Sequence, residues 1–173
     1  MSVGNAHGQV GFDHQFVADF STDPGPPYNP PAPAPRFELA DMPLWLNYTA
    51  PTVLNLNEDF SAQKWLAVVE TDNRPETWVV FLIQENVTET APNKRVVTAA
   101  HPIHLHGHDF AILVQSSTPF VSMEEIRERM QLCNPPRRDV ALLPSGGYLV
   151  IAFKADNPGS WLMHCRRSTT NKL

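Results

Sequence analysis

The sequence predicts an all-β sandwich or barrel. Short apolar runs recur between turn residues at 44–48, 53–56, 65–69, 78–84, 110–114, 140–143, 148–153 and 161–163, the pattern of strands in such folds. One segment alone has helical periodicity. A chain of 173 residues with 42% hydrophobic content has enough apolar material for a single core.

Taken in order, residues 1–36 read as a proline-rich leader or linker. The runs PGPP at 24–27 and PPAPAP at 30–35 favour extended, semi-rigid backbone. Residues 37–165 read as the folded domain that holds the strands. Within it, MEEIRERMQL at 123–132 places Met123, Ile126 and Met130 on one face and predicts a short helix ended by Pro135 and Pro136. Residues 166–173, RRSTTNKL, are a polar, basic tail that follows the apolar, β-like stretch 148–165 without transition.

Net charge is −5 and the basic residues are scattered, which gives no electrostatic support to a nucleic-acid or membrane-surface role. No stretch approaches the roughly 20 continuous apolar residues of a membrane span. The opening MSVGNAH lacks the basic and apolar regions of a signal peptide.

Chemistry concentrates in two segments, HPIHLHGH at 101–108 and WLMHC at 161–165. The period-2 geometry of an extended chain puts His104, His106 and His108 on one face, while Pro102 and Gly107 let the backbone bend. His164 and Cys165 are adjacent, so in a strand they face apart and serve two different centres. A thiolate joined by imidazoles, with no C-x-x-C spacing, suits copper better than structural zinc. A lone buried histidine is usually a hydrogen-bonded core residue, but packing poorly explains four in eight positions. A nucleophile–base reading of Cys165 and His164 is disfavoured by the opposed faces.

The two segments resemble the third and fourth copper motifs of multicopper oxidases, and their wording is similar to fungal laccases. NPPRRD at 134–139, LPSGG at 143–147 and YLVIAFKADNPG at 148–159 extend the resemblance over most of the chain, to the carboxy-terminal cupredoxin domain of such enzymes. The resemblance implies a cupredoxin-like Greek-key β-sandwich that brings His101 and Cys165 together at one end of the sheets. It assigns His101 and Cys165 to the type 1 copper, His104 to the type 2 copper, and His106 and His164 to the type 3 pair. His108 receives no ligand role. The implied activity is one-electron oxidation of phenolic donors at the type 1 copper. Electrons would then pass through the Cys165–His164 link, and dioxygen would be reduced to water at the three-copper cluster. The implied partners are a phenolic or other small-molecule donor, O2, and amino-terminal cupredoxin domains. Family members are secreted, and the sequons at Asn47 and Asn86 suit a secreted glycoprotein.

Several positions depart from the family. Its fourth motif continues His-Cys-His and adds a histidine five residues after the cysteine, where this chain has Arg166 and Thr170. Arg166 puts a permanent cation where an imidazole should face a metal, and Thr170 removes the second imidazole of the type 1 site. The axial position would fall beyond Leu173. The first two copper motifs have no counterpart, since outside the two segments only His7 and His14 occur. These departures lead to the expectations that the reading frame or splicing diverges after Cys165, that the isolated chain is inactive towards phenols, and that an exposed sheet edge makes it poorly soluble.

Two other readings compete. One is a stand-alone, non-catalytic cupredoxin-like module that binds copper weakly or only fills an interface. The other is a small cupin-like enzyme using His104 and His106 with a carboxylate, which leaves Cys165 without a role. Among the remaining residues, Cys133 is expected to be a buried thiol rather than half of a bridge. Arg137-Arg138-Asp139 is expected to form a surface ion pair or turn rather than a pocket wall. Asp109 either orients a neighbouring imidazole or is solvated.

Overall fold

A computed structural model describes residues 14–21, 36–39, 42–43, 49–55, 57, 77–85 and 99–165. Its strands are β1 (His14–Ser21), β2 (Arg36–Leu39), β3 (Met42–Pro43), β4 (Trp78–Glu85), β5 (His101–Leu105), β6 (Phe110–Ser116), β7 (Arg137–Arg138), β8 (Val140–Leu143), β9 (Tyr148–Lys154) and β10 (Met163–Cys165), with helix α1 (Met123–Arg129) between β6 and β7. They form a seven-stranded sheet ordered β3-β2-β1-β4-β9-β6-β7 and a three-stranded sheet ordered β10-β5-β8. Together these make a cupredoxin-like β-sandwich.

The large sheet is built on β4 and β9, paired antiparallel from Trp78 opposite Lys154 to Gln84 opposite Tyr148. Both strands are apolar almost without alternation, because both faces of this sheet are covered. Towards the small sheet, Phe81, Ile83, Leu149, Ile151 and Phe153 pack with Ile103, Leu105, Ala141 and Leu143. On the other face, Val80, Leu82, Val150 and Ala152 pack with Leu113 of β6 and Ile126 of α1. Burial of these side chains removes apolar surface worth roughly 25 cal/mol per Å2 and is the main source of cohesion. Among the described residues, the small sheet packs its core on one side. Its central strand β5 accordingly alternates, with His101, Ile103 and Leu105 buried and Pro102 and His104 half-buried.

Helix α1 starts at Ser122, whose hydroxyl oxygen accepts a hydrogen bond from the Glu125 N–H at 3.3 Å. Glu124 and Glu125 lie in the first turn and Arg127 and Arg129 in the last, matching the helix dipole. Ile126 is its buried residue. The helix stops at Arg129, before the expected end at the prolines. Met130 adopts extended backbone, and the Gln131 N–H donates to the Leu113 carbonyl of β6 at 2.9 Å.

The runs at 78–84, 110–114, 140–143 and 148–153 became β4, β6, β8 and β9. The strand expected at 161–163 lies two residues later, at Met163–Cys165. The run at 53–56 is instead a 3-10 turn, Thr52–Leu54, closed by the Asn55 N–H on the Thr52 carbonyl. The runs at 44–48 and 65–69 lie outside the described residues. The segment read as a linker holds β1, which pairs parallel with β4 and antiparallel with β2; its two proline runs also lie outside the described residues. Cys133, expected to be buried, is an exposed free thiol, carried on the loop between α1 and β7. Among the described residues no helix is long and apolar enough to cross a membrane.

Candidate metal centre

Strand register decides which donors meet. In the β5–β10 ladder Cys165 lies opposite Ile103, His164 opposite His104, and Met163 opposite Leu105. Directly opposed residues share a face, so Cys165 joins the core side of the small sheet and His164 the outer side. His101 lies two residues before Ile103 and His106 two after His104. Period 2 therefore puts His101 with Cys165, and His104 and His106 with His164.

On the core side, the Cys165 Sγ and His101 Nδ1 atoms are 3.7 Å apart. His101 is 3% exposed. Its other ring nitrogen, Nε2, stands 3.3 Å from Glu85 Oε1. On the outer side, the His104, His106 and His164 rings form a cluster with centroid separations of 4.7, 5.2 and 5.6 Å. The Nε2 atoms of His106 and His164 approach to 3.1 Å. His104 Nδ1–H donates to the Asp139 carbonyl at 2.7 Å, so the neutral ring in that tautomer carries its lone pair on Nε2. Desolvation, with the charges of His104 and His164 adding to it, lowers the His106 pKa from its ordinary value.

These separations fit ions held between the partners. Two imidazoles on one ion at about 2.0 Å stand about 3.3 Å apart, and an imidazole with a thiolate at about 2.3 Å stands about 3.6 Å apart. The donors come in pairs. Among the described residues no group of three or more His, Cys, Asp or Glu side chains gathers as a metal cage. Arg166 and Thr170 lie outside the described residues. A thiolate with imidazoles is a copper-type donor set.

His108 does not join the outer cluster, contrary to the period-2 expectation. Gly107 has φ +71° and turns the chain, so the His108 ring packs 4.9 Å from Phe153 and 6.0 Å from Trp161. A Cβ at Gly107 would lie 2.4 Å from the Trp161 ring. Trp161 Nε1–H donates to the Asn157 carbonyl at 2.8 Å, and Asn157 Nδ2–H donates to the Gly107 carbonyl at 2.8 Å. The loop that carries one motif is thereby fastened to the segment that carries the other.

The Asp109 carboxylate pairs with a guanidinium. It accepts from Arg137 Nε–H at 2.6 Å, and that bond is the main reason its carboxyl pKa lies below the usual value. The Arg137 guanidinium also lies over Trp78, 5.8 Å from the ring centroid. This is the surface ion pair expected of the segment 137–139. Asp139 contributes its backbone carbonyl, to His104. Sequence reasoning missed Glu85, whose place at the end of an apolar run carries no motif.

The family model described as multicopper oxidase matches residues 30–169. A laccase of Arthroderma benhamiae is 46% identical over 130 residues, covering 75% of this chain and 20% of that protein. Laccase-2 of Botryotinia fuckeliana is 45% identical over 126 residues, covering 70% and 20%. Among solved structures, the laccase from Botrytis aclada superposes with a TM-score of 0.70 at 34% identity, covering 95% of this chain and 26% of that one. The chain thus spans about a fifth of the length of the curated relatives it matches. Copper is the cofactor this relationship implies, in keeping with the thiolate and imidazole donors brought together at the β5–β10 ladder. By sequence, by fold and by the placing of its histidines and cysteine, the chain belongs to the multicopper oxidase family as a laccase-like cupredoxin domain.

Proposed function

We propose that this chain is the carboxy-terminal copper domain of a secreted laccase-like oxidase, and that it does not oxidise phenols by itself. His101 and Cys165 are the type 1 donors. His104 serves the type 2 site, and His106 and His164 serve the type 3 pair. When bound, copper supplies one-electron redox chemistry: acceptance of electrons from a phenolic donor at one centre and reduction of dioxygen to water at the other. The protein's part is placement. His101 and Cys165 present an imidazole nitrogen and a thiol sulfur on the core side, where His101 is buried and Cys165 half-buried. His104, anchored on the Asp139 carbonyl, faces the opposite side with His106 and His164.

The single observation behind this reading is that neighbouring residues Cys165 and His164 pair with donors on opposite faces of one small sheet, at 3.7 Å and 3.1 Å. One peptide unit therefore joins two sites, which a purely structural thiol does not require. The expected inactivity rests on Arg166 and Thr170, which stand at family positions for copper-binding imidazoles. The test is to load the purified chain with copper and record two signals. An intense visible thiolate-to-copper band without oxygen uptake on a phenolic donor is the expected result for a retained type 1 centre in an inactive domain. Oxygen uptake with that donor overturns the inactivity. Absence of thiolate–copper absorption in both oxidation states overturns the type 1 assignment.

A further inference from the structure

We infer that Glu85 is the positioning residue of the thiolate site, fixing the ring of His101 in the tautomer that offers Nδ1 to copper. Glu85 sits at the end of β4 with its side chain 2% exposed, against 3% for that of His101. Among the described residues, the two are among the few buried polar ones. A buried carboxylate is costly unless every lone pair it exposes to the interior finds a donor. Glu85 Oε1 accepts from the Ala99 N–H at 2.8 Å, and Oε2 accepts from the Gly146 N–H. An ionised carboxylate can only accept, so towards it His101 Nε2, at 3.3 Å, is the donor. A neutral imidazole with its proton on Nε2 has its lone pair on Nδ1, the atom 3.7 Å from Cys165 Sγ.

The same carboxylate holds the segment entering β5 through Ala99 and the turn between β8 and β9 through Gly146. The strand supplying His101 and the ring orientation are thus set by one group. A carboxylate behind a metal-binding imidazole also raises its basicity, and loss of such a partner costs about 10–100-fold in metal affinity. The inference deepens the proposed function and rests on its reading of His101 and Cys165 as one copper pair.

The decisive measurement is 15N NMR of the metal-free, full-length chain labelled at histidine, which reports the tautomer of His101 without any metal. Protonation at Nε2 is expected; protonation at Nδ1 overturns the inference. Two variants, Glu85→Leu and Glu85→Gln, are compared with the parent after circular dichroism has confirmed folding. Glu85→Leu is expected to give mixed tautomers and to weaken anaerobic Cu(I) binding, followed by its ultraviolet thiolate absorption against a competing chelator, by about 10–100-fold. Glu85→Gln, which keeps one carbonyl acceptor, is expected to fall between. A folded Glu85→Leu with unchanged tautomer and unchanged affinity overturns the inference. If Glu85→Leu does not fold, the parent spectrum and Glu85→Gln decide. A parent that shows the Nε2–H tautomer but no thiolate absorption with Cu(I) overturns the copper reading while upholding the tautomer.

Discussion

His104 and His164 are direct cross-strand partners in the β5–β10 ladder, and this single register sends Cys165 to the core and His164 to the opposite face. A slip of one residue would exchange the two faces, for example placing the thiol opposite His104 and the His164 imidazole opposite Leu105. Which donors meet is therefore set by strand pairing as much as by their identity.

Because the two donor pairs face apart, their occupancies are separable. His106→Ala is expected to weaken Cu(I) binding at the outer pair by at least about 10-fold while leaving the ultraviolet thiolate absorption of Cys165 unchanged. Titration of the variant followed at both signals checks this. Loss of the thiolate signal in that variant would place all the donors around one ion.

Gly107 is held at φ +71° under the Trp161 ring. Gly107→Ala forces a side chain into a left-handed conformation, at about 1–2 kcal/mol, and drives Trp161 off the loop. Urea unfolding should show lower stability. Trp161 emission, isolated by difference from Trp161→Phe, should move to longer wavelength. Unchanged emission would mean that the ring does not pack on Gly107.

The Asp109–Arg137 pair predicts a pH dependence of definite sign. Arg137 depresses the folded-state pKa of Asp109 below its ordinary value of 3.8. The stabilisation is thus complete above the unfolded-state value and is lost as pH falls through the folded-state value. The Asp109 side chain is 66% exposed, so Asp109→Asn should cost only about 0.2–1 kcal/mol near neutrality. The gap between variant and parent should close in acid and shrink with added salt. Denaturant midpoints measured at several pH values test it; a gap that widens in acid would reverse the sign.

The parts of the site legible in the sequence were those carried by side-chain identity at fixed spacing. The histidine run and the His-Cys dipeptide announce donors, and strand periodicity sorts His104 and His106 from His101. What stayed hidden depends on backbone partners. Glu85 is held by the N–H groups of Ala99 and Gly146, which leave no trace in residue type. His108 obeys the alternation on paper, and only the positive φ of Gly107 takes it elsewhere. For the fold, β4 and β9 were plain as continuous apolar runs. Strand β1 was obscured by the prolines that follow it and by a partner strand some sixty residues away. The end of α1 was misjudged because the Leu113 carbonyl, not a proline, diverts the chain.

Both donor pairs exist only after a long loop has closed, since 58 residues separate His106 from His164 and 64 separate His101 from Cys165. Closing such loops costs conformational entropy, and contacts this distant form slowly compared with local ones. The clasp that closes them is a ladder of three residue pairs. An ion that binds the closed pairs more tightly than the unfolded chain favours the clasped state by mass action. On the proposed copper reading, docking of β10 and capture of metal are one coupled equilibrium, and the apparent stability of the domain is expected to rise with the concentration of free copper.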